Sequence, residues 1–271
     1  MSTTIAVIGA GNIGEALISG LVNSGVNPET ITATNRTEAR REELTQRYGV
    51  ITTDDNVEAV TDAEVCFLCV KPYAIAEMIE ELSDAIAAND TSTVLVSMAA
   101  GVTLDAMSEA VSSAGTPLAR VMPNTPMQVG KGVCVVSFGR FVEEDQRELV
   151  TDLLGATGQV VVVPEKLIDA ASAISGSGPA YFFMIAEALV DSAVSLGLPR
   201  ETATALATAT AEGAGAMLAH SGKTPVELRA GVSSPAGTTV AAIRELEESG
   251  VRGAFYRATE AAASRAAEIG K

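Results

Sequence analysis

An apolar run, Thr3–Ile8, leads without interruption into Gly9-Ala10-Gly11-Asn12-Ile13-Gly14 and then into a stretch of helical composition near 12–24. Strand, tight turn and helix in that order leave little choice of geometry. Gly9 permits the turn, Gly11 leaves room for a pyrophosphate to reach the backbone, and Gly14 lets the helix touch the strand. The free N–H groups and dipole at the helix start then stabilise phosphate oxygens. Gly9, Ala10, Gly11, Asn12, Ile13 and Gly14 are therefore candidate cofactor residues of a dinucleotide site. A glycine-rich turn without a ligand is the competing reading.

Six further apolar runs, ITATN, AEVCFLCV, TSTVLVSM, PLARVM, GVCVVSF and QVVVV, alternate with helix-compatible segments near 37–47, 73–88, 103–114 and 143–155. The alternation predicts βαβ units and a parallel sheet, and strands this apolar are expected to be covered on both faces. After Pro164 the texture changes. Residues 165–271 read as Ala-rich helices broken at 175–179, 197–199, 221–225 and 233–237. Two domains follow, 1–164 and 165–271. The stretch 202–219 carries small side chains on almost every face, so its helix must be buried against other helices, some of them in a second copy of the chain. The expected state is a homodimer.

Composition excludes several functions. Thirty-four Asp and Glu against 18 Lys and Arg give a formal charge of −16 over 271 residues. Phosphate-tracking binding of nucleic acid would oppose that whole field. Only five of the cations are lysines. Such a balance reads either as ordinary acidic drift or as adaptation to concentrated salt. The opening residues lack the basic patch and long apolar run of a secretory signal, and no uninterrupted apolar stretch reaches the ~18 residues of a membrane span, so a cytoplasmic chain with no membrane partner is expected. Cys66 and Cys69 form a CxxC inside a strand, where residues three apart point to opposite faces. Buried structural thiols are expected there rather than a redox pair.

The second strand ends in Thr34-Asn35-Arg36-Thr37, where a protein binding NAD would place an acid for the ribose 2′-hydroxyl. Asn35, Arg36 and Thr37 suit a 2′-phosphate instead, which points to NADPH ahead of NADH. Alternatively Arg36 is a solvated loop cation. Val70, Lys71 and Pro72 close another strand, and Ala99, Ala100 and Asn124 follow two more. With Asn56, these are candidate cofactor residues. The helical half offers two glycine- and hydroxyl-rich helix starts, Ser175-Gly-Ser177-Gly178-Pro179 and Ser233-Ser234-Pro-Ala-Gly237-Thr238-Thr239, suited to cradling a carboxylate. A metal site of the usual His/Cys type is not expected: His220 is the one histidine.

The segment 225–247, PVELRAGVSSPAGTTVAAIRELE, resembles the signature of the pyrroline-5-carboxylate reductases. GAGNIG, VKP at 70–72, MPNTP at 122–126 and SGSGPAY at 175–181 match that family in the same order. The resemblance implies a Rossmann-type dinucleotide-binding domain followed by an all-α dimerisation domain, dimers gathered into a decamer, and NAD(P)H-dependent reduction of a cyclic imine to proline. It places Thr239 near the substrate nitrogen or carboxylate, with the backbone of Thr238 and the hydroxyl of Ser234 nearby, which makes Thr239 and Ser234 the catalytic candidates. The two helix starts make Ser175, Ser177, Gly178, Ser233, Gly237 and Thr238 the substrate-binding ones. Ala230 and Gly231 depart from the acid or amide that many members carry before VSSP. A β-hydroxyacid dehydrogenase would need a lysine about one turn past SGSGPA, where Tyr181-Phe182-Phe183-Met184 stand. A non-enzymatic NADP-binding regulator would bind the cofactor without turning over an imine.

The charge balance carries a prediction of its own. Like-charge repulsion fades as the screening length falls from ~10 Å at 0.1 M salt to ~3 Å at 1 M. The melting temperature should therefore climb with KCl between those concentrations. A flat or falling curve would remove the salt-adapted reading.

Overall fold

The computed structural model describes residues 3–269. Its first compact unit runs to Ser177 and takes in the end of the last helix from Ala262. The second is Gly178–Ala261. The sequence boundary at 164/165 lies earlier in the chain than this division.

The first unit alternates strand and helix: β1 Ile5–Ile8, α1 Asn12–Asn23, β2 Ile31–Thr34, α2 Glu38–Tyr48, β3 Ile51–Thr53, α3 Asn56–Val60, β4 Val65–Leu68, α4 Ile75–Ala88, β5 Val94–Ser97, α5 Leu104–Ala110, β6 Leu118–Met122, β7 Gly132–Phe138, α6 Glu144–Gly155, β8 Gly158–Val162 and α7 Ile168–Ser175. The eight strands form one sheet in the order β3-β2-β1-β4-β5-β6-β7-β8. The sheet is not wholly parallel, which corrects the sequence reading: β7 runs antiparallel to β6. Only residues 123–131 separate those two strands, too few for a crossover helix, so the chain turns back beside the strand it has left.

Alternate residues of each strand feed two apolar layers. Ile5, Val7, Val65, Phe67, Val94 and Val96 point into one, packed under Leu17, Ile18 and Leu21 of α1 and Val150, Leu153 and Leu154 of α6. Ala6, Ile8, Cys66, Leu68 and Leu95 point into the other, under Ile75, Ile79 and Leu82 of α4 and Met107 of α5. Covering on both faces explains why these strands read as continuous apolar runs. Cys66 lies in one layer and Cys69 packs against the other, as their spacing requires. Burial pushes the Cys69 thiol up to about 12, and that of Cys66 upward as well.

The second unit contains α8 Gly178–Ser195, α9 Arg200–His220, α10 Pro225–Gly231, α11 Thr238–Glu248 and most of α12, Val251–Ile269. The breaks fall where the sequence placed them, with a further one at Ser249–Gly250. Tyr181 and Phe255 meet edge-on, ring centroids 6.4 Å apart. Most of the large apolar side chains stay uncovered in the single chain: Phe182, Phe183 and Met184 are about two-thirds exposed and Leu196 is 85% exposed. Surface of that size and character calls for a partner. The helical run Glu165–Ser195, 31 residues with mean hydropathy 1.3 in its most apolar window, is long and apolar enough to cross a membrane by length and composition alone. It is not an uninterrupted apolar run: Glu165, Lys166, Asp169, Glu187 and Asp191 lie within it, and it breaks at Gly176–Ser177 between α7 and α8.

Candidate active site

The strand order reverses between β1 and β4, and the loops leaving their carboxyl ends diverge there, which is where open α/β sheets take ligands. Gly9 adopts φ +86°, and a Cβ on it would come within 2.8 Å of Val70 Cγ1. A Cβ on Gly14 would meet the Gly9 carbonyl oxygen at 2.9 Å and Val7 Cγ1 at 3.3 Å, so helix and strand approach as closely as backbones allow. Gly11 differs from both. No protein atom lies within 4 Å of its Cβ direction, and it caps α1 without a side-chain hydrogen bond. The turn therefore opens onto the unpaired N–H groups of a helix start, with Asn12 exposed and Ile13 packed on the core. A pyrophosphate fits this donor set and this space.

Two residues absent from the sequence shortlist hold the turn. The Gly9 N–H donates to Thr34 Oγ1 at 3.0 Å and the Ala10 N–H to the Thr34 carbonyl at 2.8 Å. Glu15, in the first turn of α1, accepts from Arg40, from Arg47 at 2.9 Å and from the Tyr48 hydroxyl at 3.0 Å. Burial raises the Glu15 carboxyl, but the hydrogen bonds of Arg40 and Tyr48 and the charges of Arg40 and Arg47 outweigh it and hold the group below its ordinary value. The ionised carboxylate thus favours folding above its unfolded pKa, and that contribution is lost as pH falls through the lower folded value. An acid with its charge so neutralised leaves the helix start attractive to anions. The signal for this network was Arg40 and Arg47, seven residues apart and so on one face of α2, with a lone acid one position past the glycines.

Asn35 donates from Nδ2 to the Ala10 carbonyl at 3.2 Å and accepts from the Thr37 N–H at 3.0 Å, tying the end of β2 to the glycine turn. Thr37 caps α2 with its hydroxyl uncommitted to that helix. Arg41 donates to the Asn35 carbonyl at 2.8 Å and lies 3.6 Å from Asp54. Arg36 is exposed, and among the described residues no carboxylate pairs with it.

Further along the same sheet edge, Val70 packs over Gly9, Lys71 is exposed, and Pro72 opens a short 3-10 turn ahead of α4. Ala99 is buried, its N–H bonded to Ser97 Oγ at 3.3 Å, and Ala100 is exposed beside it. Asn56 donates to Glu81 at 3.1 Å. Asn124 is 7% exposed and occupied on both sides: Nδ2 donates to the Ser175 carbonyl at 2.9 Å and Oδ1 accepts from the Val133 N–H at 2.8 Å. Its side chain thus braces the Ser175 end of α7 against β7.

Ser175 does not open a helix. It closes α7, its hydroxyl bonded back to the Ala171 carbonyl at 3.1 Å, while Ser177 and the buried Gly178 lead into α8. Within the second unit the other hydroxyl-rich start has the expected form. Gly237 is the N-cap of α11 with no side-chain cap, and Thr238 and Thr239 are its first two residues, so their N–H groups have no partner within the helix. The Ser234 hydroxyl lies over this start, 2.5 Å from where a Cβ on Gly237 would sit. Ala236 takes φ +57° to turn the chain into the helix. Ser233 instead bonds to the Arg229 carbonyl at 2.7 Å. Such a start, two threonines and a serine around free N–H groups, can hold a small carboxylate.

Comparison with known proteins agrees across the chain. Residues 165–269 match the family model "Pyrroline-5-carboxylate reductase dimerisation", and residues 4–101 match "NADP oxidoreductase coenzyme F420-dependent". The pyrroline-5-carboxylate reductase of Corynebacterium melassecola is 57% identical over 269 residues, 99% of each chain. That of Mycobacterium tuberculosis is 43% identical over 98% of this chain and 96% of its own. Among solved structures, a pyrroline-5-carboxylate reductase from Coxiella burnetii superposes with TM-score 0.95 at 37% identity, covering 100% of both chains. The Plasmodium falciparum pyrroline carboxylate reductase, solved with NADP bound, gives 0.85 at 26% identity, covering 99% of this chain and 98% of that one. The helical half thus carries a dimerisation domain, which supports a homo-oligomer. On sheet order, glycine turn and whole-length identity together, the chain belongs to the pyrroline-5-carboxylate reductase family.

Proposed function

We propose that this chain reduces 1-pyrroline-5-carboxylate to L-proline with NADPH, an oxidoreductase acting on the CH–NH group of donors in the last step of proline biosynthesis. The observation that carries the proposal is the turn at the β1/β4 switch point, open only at Gly11, in a chain 57% identical over nearly its whole length to such a reductase. Gly9 to Gly14 would hold the pyrophosphate, and Asn35, Arg36 and Thr37 the ribose end. When bound, NADPH supplies a hydride from its nicotinamide to the imine carbon. The protein's remaining task is to hold the substrate carboxylate and keep the nitrogen protonated. The hydroxyls of Ser234 and Thr239 and the N–H groups beginning α11 suit that task without a strong acid, which fits the absence of a lysine between 167 and 222. The proposal extends to a decameric assembly and a cytoplasmic, salt-rich setting. Family resemblance supports the assembly, and the charge of −16 with five lysines supports the salt.

Consumption of NADPH with pyrroline-5-carboxylate tests the reading directly, and no turnover of the imine would overturn it. Arg36→Ala removes one charged hydrogen-bonding partner, worth ~1.5–3 kcal/mol, so the Michaelis constant for NADPH should rise roughly tenfold to a hundredfold while that for NADH barely moves. Equal losses with both would assign Arg36 to the fold.

Thr239→Val keeps shape and deletes the hydroxyl. If that hydroxyl orients the imine or a proton-delivering water, turnover should fall by about 10²-fold with NADPH affinity near wild type, whereas Ser234→Ala should mainly raise the Michaelis constant for the imine. Unchanged turnover in Thr239→Val would leave backbone N–H groups and bulk water as the proton-handling machinery.

A further inference from the structure

Arg120 is a buried cation that the cofactor turn does not use. It lies in β6 and is 5% exposed, in register with Ser97 of β5 and Ser137 of β7, both buried. Its Nη1 donates to Glu165 Oε1 at 3.2 Å and its Nη2 to Asp169 Oδ1 at 3.3 Å, while Nε is buried without a partner. A buried ion cluster with one donor unsatisfied is seldom more stabilising than apolar packing of the same volume. Stability alone does not account for it.

What the cluster does is connect. The same Glu165 oxygen accepts from the Leu104 N–H at 2.7 Å, at the start of α5, so Arg120 and Glu165 together anchor the carboxyl end of loop 98–103. That loop carries Ala99 and Ala100 and leaves the sheet edge just past Ser97. Asp169, in the first turn of α7, ties the start of that helix to β6. Asn124, four residues beyond Arg120, holds the Ser175 end. The glycine turn takes its hydrogen bonds from Thr34 and Asn35 instead.

We propose that Arg120 is a positioning residue for hydride transfer. Acting through Glu165 and Asp169, it sets loop 98–103 and α7 in the geometry that the nicotinamide end of the site requires, and leaves the phosphate end untouched. The proposal rests on the reductase reading above.

The test compares full-length wild type with Glu165→Gln, whose side chain is partly exposed and therefore easier to replace, and with Arg120→Lys and Arg120→Met. Turnover of pyrroline-5-carboxylate, the Michaelis constant for NADPH, the melting temperature, and the isotope effect with NADPH deuterated at both C4 positions are measured together. Misplacement of reacting groups by about 1 Å can cost up to 10²-fold. Glu165→Gln should lower turnover about tenfold or more and enlarge the isotope effect, with the NADPH constant within about twofold of wild type. Arg120→Lys, which keeps the charge but loses the fork, should retain more activity than Arg120→Met. Folded variants with unchanged turnover and isotope effect, or a loss confined to NADPH affinity, overturn the proposal. An inactive wild type overturns the reductase reading itself, and the proposal with it.

Discussion

The approach of α1 to the sheet at Gly14 is the contact on which the rest of the first unit depends. A methyl group there would sit 2.9 Å from the Gly9 carbonyl. Overpacking of that kind typically costs about 1–3 kcal/mol because backbone must move. With hydrogen at Gly14, Leu17, Ile18 and Leu21 reach the strands and complete one of the two apolar layers. The same approach aims the first N–H groups of α1 at the switch point. The packing of that layer and the direction of the helix start are therefore consequences of one close contact.

Electrostatics around that helix start are local exceptions to an acidic chain. The one carboxylate in the first turn of α1 is matched by Arg40, Arg47 and Tyr48, and Arg41 is drawn to the end of β2 and to Asp54. These arginines are committed to protein groups, whereas Arg36 projects to solvent without a carboxylate. Charge around the end of β2 is thus divided between arginines paired with protein groups and Arg36, which is exposed without a paired carboxylate among the described residues.

Much of the sheet was legible in the sequence because strands covered on both faces carry their apolar residues without interruption. β3 was not, since Ile51–Thr53 is short, polar and half-exposed at the sheet's edge, and α3 is a five-residue helix announced mainly by Asp55 as its cap. The direction of β7 is a property of a short connection, which apolar patterning does not encode. In the candidate site the glycines were readable because each glycine answers a steric demand of a few neighbouring residues. The brace between Asn124 and Ser175 was not readable because its partners lie 51 positions apart, and the hydroxyl of Ser175 closes a helix rather than opening one. The Arg120 cluster was invisible for the same reason, as its carboxylates lie 45 and 49 residues away.

The central claim is that the β1–α1 turn is shaped for a pyrophosphate, and Gly11→Ala tests it most directly. Its φ of −82° suits alanine, and the added methyl group meets no protein atom within 4 Å. The variant should melt within about 1 °C of wild type, as expected of a substitution that alters no packing. Its affinity for NADPH, measured by fluorescence titration, should fall by at least tenfold because the methyl occupies the ligand's place. Wild-type affinity in a fully folded Gly11→Ala protein would contradict the account.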